Sequence, residues 1–268
     1  MDTMKYTADG SLRKFDAHCS ILFADLPLLE RPAAAKAAGF DAVEFWWPFG
    51  ENPVPGDKDV DAFVSAVSDA GVRLIGLNFI DLVPAGRGLV SVPGRESEFR
   101  DNIDVTVGIA EQLDCRSLNA LYGNRIPDVD PRAQDELALE NLRLAADAAA
   151  RIDAQVVLEA LNSIESPDYP IVSAAHAIRV IDEVGAPNLR FLCDLYHLAR
   201  MGEDLFAVIA TYADRFGHVQ IADAPARSRP GTGTLDFEAL FTALDTAGYD
   251  GWIGLEYKDP DHDWSWIA

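Results

Sequence analysis

The chain has 268 residues, of which 49% are hydrophobic, and sets 44 Asp and Glu against 22 Lys and Arg, a formal charge of −22 at pH 7. That apolar fraction excludes a disordered chain, and the length suits one α/β barrel of roughly 250 residues. The negative field repels nucleic-acid phosphate and anionic membrane surfaces, so neither partner is expected; a small anionic substrate would need cations placed locally.

Residues 1–14 are polar, hold no secretory apolar stretch and read as a flexible segment ahead of one domain that spans the rest of 1–268. A first strand is predicted near 15–19. A recurring unit follows: an Ala-rich helix, a Gly, then a short apolar run. It appears as AAAKAAGFDAVEFW (33–46), SAVSDAGVRLIGLN (65–78), IDEVGAPNLRFLCD (181–194) and ALDTAGYDGWIGLE (243–256). Each Gly suits a left-handed helix end, and nearly all-apolar runs suit parallel strands buried on both faces. In chain order the pattern predicts helices near 27–38, 59–70, 95–112, 134–151, 171–184, 204–214 and 236–247. It predicts strands near 41–46, 72–78, 116–121, 154–159, 189–194, 216–221 and 251–256. Asp236 is the expected N-cap after a PGTG turn at 230–233, which reads as a simple turn. The residues after the last strand leave room for no more than a stub of an eighth helix. Strand alternating with helix in this way is a (β/α)8 TIM barrel, in the α/β class. The doubly wound alternative lacks its Gly-rich first turn. The long connections 79–94 and 122–133 fall at the strand ends where barrels carry their sites.

Cys19, Cys115 and Cys193 form neither a disulfide framework nor a zinc pattern, and no apolar run is long enough to cross a bilayer. A cytoplasmic setting is expected, and a homo-oligomer is left open.

Polar residues at barrel strand ends point into the site. Here they are Glu44, Asn78, Asn119, Glu159, Asp194, Gln220 and Glu256. Carboxylates closing apolar strands cannot be buried bare, and converging ones repel unless protonated or bridged by a cation. Glu159, Asp194, Gln220 and Glu256 form an all-oxygen donor set, which suits Mg²⁺ or Mn²⁺ better than zinc. Glu159 and Glu256, from strands across the mouth, could act as an acid/base pair on one substrate carbon. His197 could bond a substrate oxygen, and Arg87, Arg227 and Lys258 could hold a carboxylate. His18, Asn78, Glu44 and Trp46, with Trp47 and Phe49 beside it, complete the candidate substrate surface.

Several stretches resemble the hydroxypyruvate isomerase family within the xylose-isomerase-like barrels. They are AAKAAGFDAVEFWWPF, the segment 87–103, LEALN (158–162), PNLRFLCDLYHLARMGEDL (187–205), GHVQIADAPARSRPGTGTLDF (217–237) and LDTAGYDGWIGLEYK (244–258). The resemblance implies that Glu159 and Glu256 are the metal-binding acid/base pair, that Asp194 and Gln220 complete the ligands, and that His197 and Arg227 contact substrate. Related epimerases usually carry His where Gln220 stands. The family often has Asn where this chain has His18, and WWPF is bulkier than its usual counterpart. The activity implied is hydroxypyruvate ⇌ tartronate semialdehyde through an enediolate. The alternatives are a 2-oxo-tetronate isomerase or ketose 3-epimerase on the same site, and more remotely a dehydroshikimate-type dehydratase or a non-catalytic metabolite-binding barrel.

Overall fold

The computed structural model describes residues 4–7, 10–81, 86–259, 261–264 and 266–267. Residues 82–85 of the long third connection, and residues 1–3 and 8–9 of the N-terminal segment, lie outside the described residues.

The apolar runs form eight parallel strands that close into a barrel in sequence order, with β1 pairing β8. They are β1 (Phe15–His18), β2 (Ala42–Phe45), β3 (Arg73–Asn78), β4 (Ser117–Asn119), β5 (Gln155–Glu159), β6 (Leu189–Asp194), β7 (Phe216–Ile221) and β8 (Ile253–Leu255). Each lies within the predicted run, because strands covered on both faces cannot carry polar interruptions.

The main outer helices are α2 (Arg31–Ala37), α3 (Asp57–Ala70), α4 (Glu96–Gln112), α5 (Pro131–Ala150), α6 (Ala174–Val184), α8 (Leu205–Tyr212) and α9 (Phe237–Thr246). Two short helices, α1 (Cys19–Leu22) and α7 (Leu195–Arg200), follow β1 and β6 directly and were not anticipated. Asp130, Ser173, Asp204 and the expected Asp236 cap α5, α6, α8 and α9 through their side chains. Gly39, Gly71, Gly185 and Gly248 all take positive φ, which is what ending a helix and turning into the next strand requires.

Among the described residues no helix follows β8. Aromatic rings cover that side instead. Trp266 packs edge-on against Phe15 with centroids 5.4 Å apart, and Trp264 meets Phe40 at 5.3 Å and Phe23 at 5.7 Å. At the N-terminal end of the barrel, Tyr6 bridges Leu12 and Arg13 forms a buried ion pair with Asp245 at 2.8 Å. No helix of the described residues is long and apolar enough to cross a membrane.

Candidate active site

The strand register decides which acids meet. Asp194 lies beside Gln220 across β6 and β7, and Gln220 lies beside Gly254 across β7 and β8. Residues paired in this way point to the same side of a parallel sheet. All four expected ligands are at least 95% buried at the C-terminal end of the barrel. Facing oxygens of Glu159 and Asp194 and a nitrogen of His197 all lie within 4.8 Å of one another.

Glu159 and Asp194 each have one oxygen tied down by hydrogen bonds, and Glu256 has both oxygens engaged. Glu159 Oε2 accepts from Asn119 Nδ2 at 3.0 Å, while Oε1 faces His197 Nε2 at 3.8 Å. Asp194 Oδ1 caps α7 by accepting from the Tyr196 and His197 amides at 2.7 and 3.3 Å, and Oδ2 faces the same imidazole nitrogen at 3.6 Å. Glu256 Oε1 accepts from Trp46 Nε1 at 2.9 Å, and Oε2 pairs with Arg227 at 2.8 Å. Gln220 donates its Nε2 to Glu44, and its Oε1 is buried with no hydrogen-bond partner. Asn119 Oδ1 is likewise unpartnered.

The protonation preferences diverge. Burial, then the charges of Glu256 and Asp194, push the Glu159 carboxyl well above its ordinary range. Burial and Glu256 raise Asp194 to about 8. Burial would raise Glu256 too, but Arg227, His18, His197 and the Trp46 hydrogen bond outweigh it and hold that carboxyl below its usual range. His197 is pushed down to about 3, chiefly by burial and then by Arg227. The backbone N–H of Asn162 donates to its Nδ1 at 3.1 Å, so the neutral ring carries its proton on Nε2, facing the carboxylates.

The cleft above this cluster is lined by Trp46, Asn78, Asp81, Arg87, Glu159, Glu165, His197, Arg227 and Glu256, among others. Arg227 sits at φ +55°, a left-handed conformation that costs a non-glycine residue about 1 kcal/mol. Bonds at both ends hold it there. Its Nε donates to the Glu256 carbonyl at 3.2 Å, and its own carbonyl accepts from the Lys258 amide at 2.8 Å. Arg87 donates from Nε to Ser166 at 3.2 Å, next to Glu165, whose Oε2 lies 3.8 Å from Arg227.

Three expected residues stand elsewhere. Glu44 lies beneath the cleft inside the barrel, bonded to His218 and Gln220, and not on the substrate wall. The Lys258 side chain is exposed and is not part of the cleft lining. His18 is 1% exposed and supports the site from behind, 3.7 Å from Glu256 and edge-on to Trp46 at 5.2 Å. In the WWPF stretch only Trp46 reaches the cleft. Trp47 is buried and packs on Phe49.

Asp81 and Glu165 are cleft residues that the strand-end rule misses, because both lie in loops. Asn78 donates to Asp81 at 2.7 Å, and Tyr196 and Asn162 donate to Glu165 at 2.7 and 3.1 Å. The PGTG turn wraps a carboxylate of its own chain, since the amides of Gly231, Gly233 and Leu235 all donate to Asp223.

Glu159, Asp194 and His197 lie close enough together to hold a metal ion, and the buried Gln220 Oε1 lacks the partner that a buried acceptor requires, so oxygen donors suited to a divalent cation are present; both oxygens of Glu256 are already engaged, by Trp46 and Arg227.

Comparisons with known proteins identify the family. The family described as xylose isomerase-like TIM barrel matches residues 32–267. The chain is 56% identical over 266 residues to the "Putative hydroxypyruvate isomerase" of Streptomyces coelicolor, with 95% of each chain covered. It is 33% identical to the hydroxypyruvate isomerase of Escherichia coli, over 91% of this chain and 93% of that protein. It is 32% identical to the 2-oxo-tetronate isomerase of Pectobacterium atrosepticum, over 91% and 92%. A solved structure from Brucella melitensis, named as an AP endonuclease of family 2, superposes with a TM-score of 0.83 at 36% identity, covering 93% of this chain and 94% of that one. The chain belongs to the xylose isomerase-like TIM barrel family, and its full-length similarity to proteins named hydroxypyruvate and 2-oxo-tetronate isomerase makes it an isomerase.

Proposed function

We propose that the protein interconverts hydroxypyruvate and tartronate semialdehyde with the aid of a divalent cation, Mg²⁺ or Mn²⁺. The observation that carries this reading is the pair Glu159 and Glu256. They are buried on β5 and just after β8, and their environments push their proton affinities in opposite directions. Two carboxyls separated in this way are suited to one proton-accepting and one proton-donating role. Held by Glu159, Asp194, Gln220 and Glu256, the cation would supply electrostatic stabilisation of negative charge developing on substrate oxygens.

The chain's own residues do the rest. One Glu takes a proton from the hydroxymethyl carbon; the electron pair forms a carbon–carbon double bond as the carbonyl π pair moves onto oxygen, giving an enediolate. The O–H proton of the former hydroxymethyl group passes to that oxygen, which is left as a hydroxyl, an aldehyde C=O forms at the former hydroxymethyl carbon, and the double-bond pair takes a proton at the neighbouring carbon. His197 presents Nε2–H toward the reacting oxygens. Arg227 and Arg87 flank the cleft as partners for the substrate carboxylate, Arg227 being already engaged with Glu256. The four-carbon 2-oxo-tetronate is the second reading, favoured by the relative of that name. An endonuclease, which the name of the Brucella protein raises, is opposed by the charge of −22.

The test is solvent isotope exchange. Purified protein with Mn²⁺ and hydroxypyruvate in D₂O should place deuterium on the carbon next to the carboxylate of tartronate semialdehyde. No exchange into hydroxypyruvate, together with exchange into 2-oxo-tetronate, would transfer the assignment to the longer acid. No exchange into either would remove the enolisation mechanism.

A further inference from the structure

We infer that Glu44 is a positioning residue that fixes which end of the Gln220 amide faces the cation ligands. The inference rests on the metal reading above.

The two ends of a glutamine amide have nearly the same shape and opposite polarity. Only the oxygen can ligate a cation, whereas the amino group would aim two hydrogens at it. Something must therefore choose the orientation. Glu44 Oε1 accepts from Gln220 Nε2 at 3.0 Å, which turns the amide oxygen away from Glu44 and leaves it buried and unpartnered. The other oxygen, Oε2, lies 2.9 Å from His218 Nε2. A proton shared along that contact leaves Oε1 an acceptor whichever partner holds it, so the choice of amide end does not depend on how Glu44 and His218 divide the proton.

The sequence makes room for this arm. A Cβ on Gly254 would stand 2.2 Å from Glu44 Oε1, and one on Gly76 would stand 3.0 Å from Oε2. Glycines inside strands are otherwise unfavourable, and here Gly76 in β3, beside β2, and Gly254 in β8, beside β7, let a Glu from β2 reach across the barrel to β7. Asp16, Glu44 and His218 also lie within ligand distance of one another. The facing atoms of Glu44 and His218 are spent on each other and on Gln220, and these three form the orienting arm; Asp16 hydrogen-bonds to none of them.

Partners that orient a ligand typically contribute about 10–100-fold in metal affinity. The experiment is Mn²⁺ titration by calorimetry of the full-length protein and its Glu44→Leu, Glu44→Gln, Gln220→Leu and double Leu variants. Glu44→Leu should weaken Mn²⁺ binding about 10–100-fold. Glu44→Gln still offers an acceptor oxygen and should restore most of the affinity. In the Gln220→Leu background, Glu44→Leu should cost nothing more, because its effect passes through that amide. Wild-type affinity in Glu44→Leu, or costs that simply add in the double variant, would overturn the inference. If Glu44→Leu does not fold, Glu44→Asp keeps the charge beside His218 but withdraws the oxygen from Gln220. It should show the same weakening, and undiminished affinity there is equally fatal. A wild-type protein that binds no Mn²⁺ would instead bring down the metal reading itself.

Discussion

In the proposed reaction, Arg227 is the residue on which a division of labour between the two glutamates would depend. Glu159 and Glu256 are both buried, and the leading charge that holds Glu256 down is a guanidinium 2.8 Å away, with His18, His197 and the Trp46 hydrogen bond behind it. Replacing Arg227 with Gln removes that charge, so the Glu256 carboxyl rises. A carboxylate that must be ionised then loses its proton at higher pH, and the acid limb of kcat/KM moves upward in pH. A pH–rate profile of Arg227→Gln with an unmoved acid limb would show that Glu256 is not the ionised partner. At this scale the sequence was partly legible. Acids closing apolar strands stood out because an acid there needs a reason. Glu44 obeyed the same rule and was misplaced, since a strand-end residue can point down the barrel as well as up. The signal that could have corrected it was Gly76 and Gly254, small residues inside strands where a side chain from elsewhere must pass.

At the scale of elements, the strands and main helices follow from apolar runs punctuated by Gly and capping Asp, and these were readable without coordinates. The direct strand-to-helix junctions at α1 and α7 were not, because each helix is shorter than two full turns and leaves no periodic trace. The seventh connection shows what a turn contributes. Asp223 gathers the amides of Gly231, Gly233 and Leu235, and a Cβ on Gly233 would stand 2.2 Å from the Ala224 carbonyl. Gly233→Ala should therefore destabilise the protein by about 1–3 kcal/mol, a fall of several degrees in Tm. Thermal unfolding measures this. A Tm unchanged by Gly233→Ala would mean that the turn yields without loss.

For the whole molecule, the excess of acid becomes a statement about pH. Asp194 is raised by burial and by Glu256 to about 8, from an ordinary carboxyl near 4 when unfolded. A group whose folded pKa is raised contributes stability below its unfolded pKa and loses it as pH rises through the folded value. The buried histidines His18 and His197 are depressed to about 4 and about 3, so their linkage acts below pH 6.5 and in the opposite sense. Between about pH 6.5 and 8 the carboxyls act alone. In chelator, Tm should fall across that window. Mn²⁺ should raise Tm more at the upper end, because its ligands bind best without their protons. A flat Tm in chelator, or Mn²⁺ protection independent of pH, would contradict the buried-acid cluster.

The two oxygens of Asp194 lead separate lives. One ends helix α7 at its first turn, and the other looks into the acid cluster. A mutation at this codon therefore strikes the helix cap and, in the proposed reaction, the chemistry together. Glu would overreach the cap, Ala would abandon both duties, and Asn could keep the cap only by surrendering the charge. Drift at position 194 is thus blocked twice. A lineage that gave up the reaction would still have a structural reason to keep the aspartate, so its presence alone in a distant relative is poor evidence of activity.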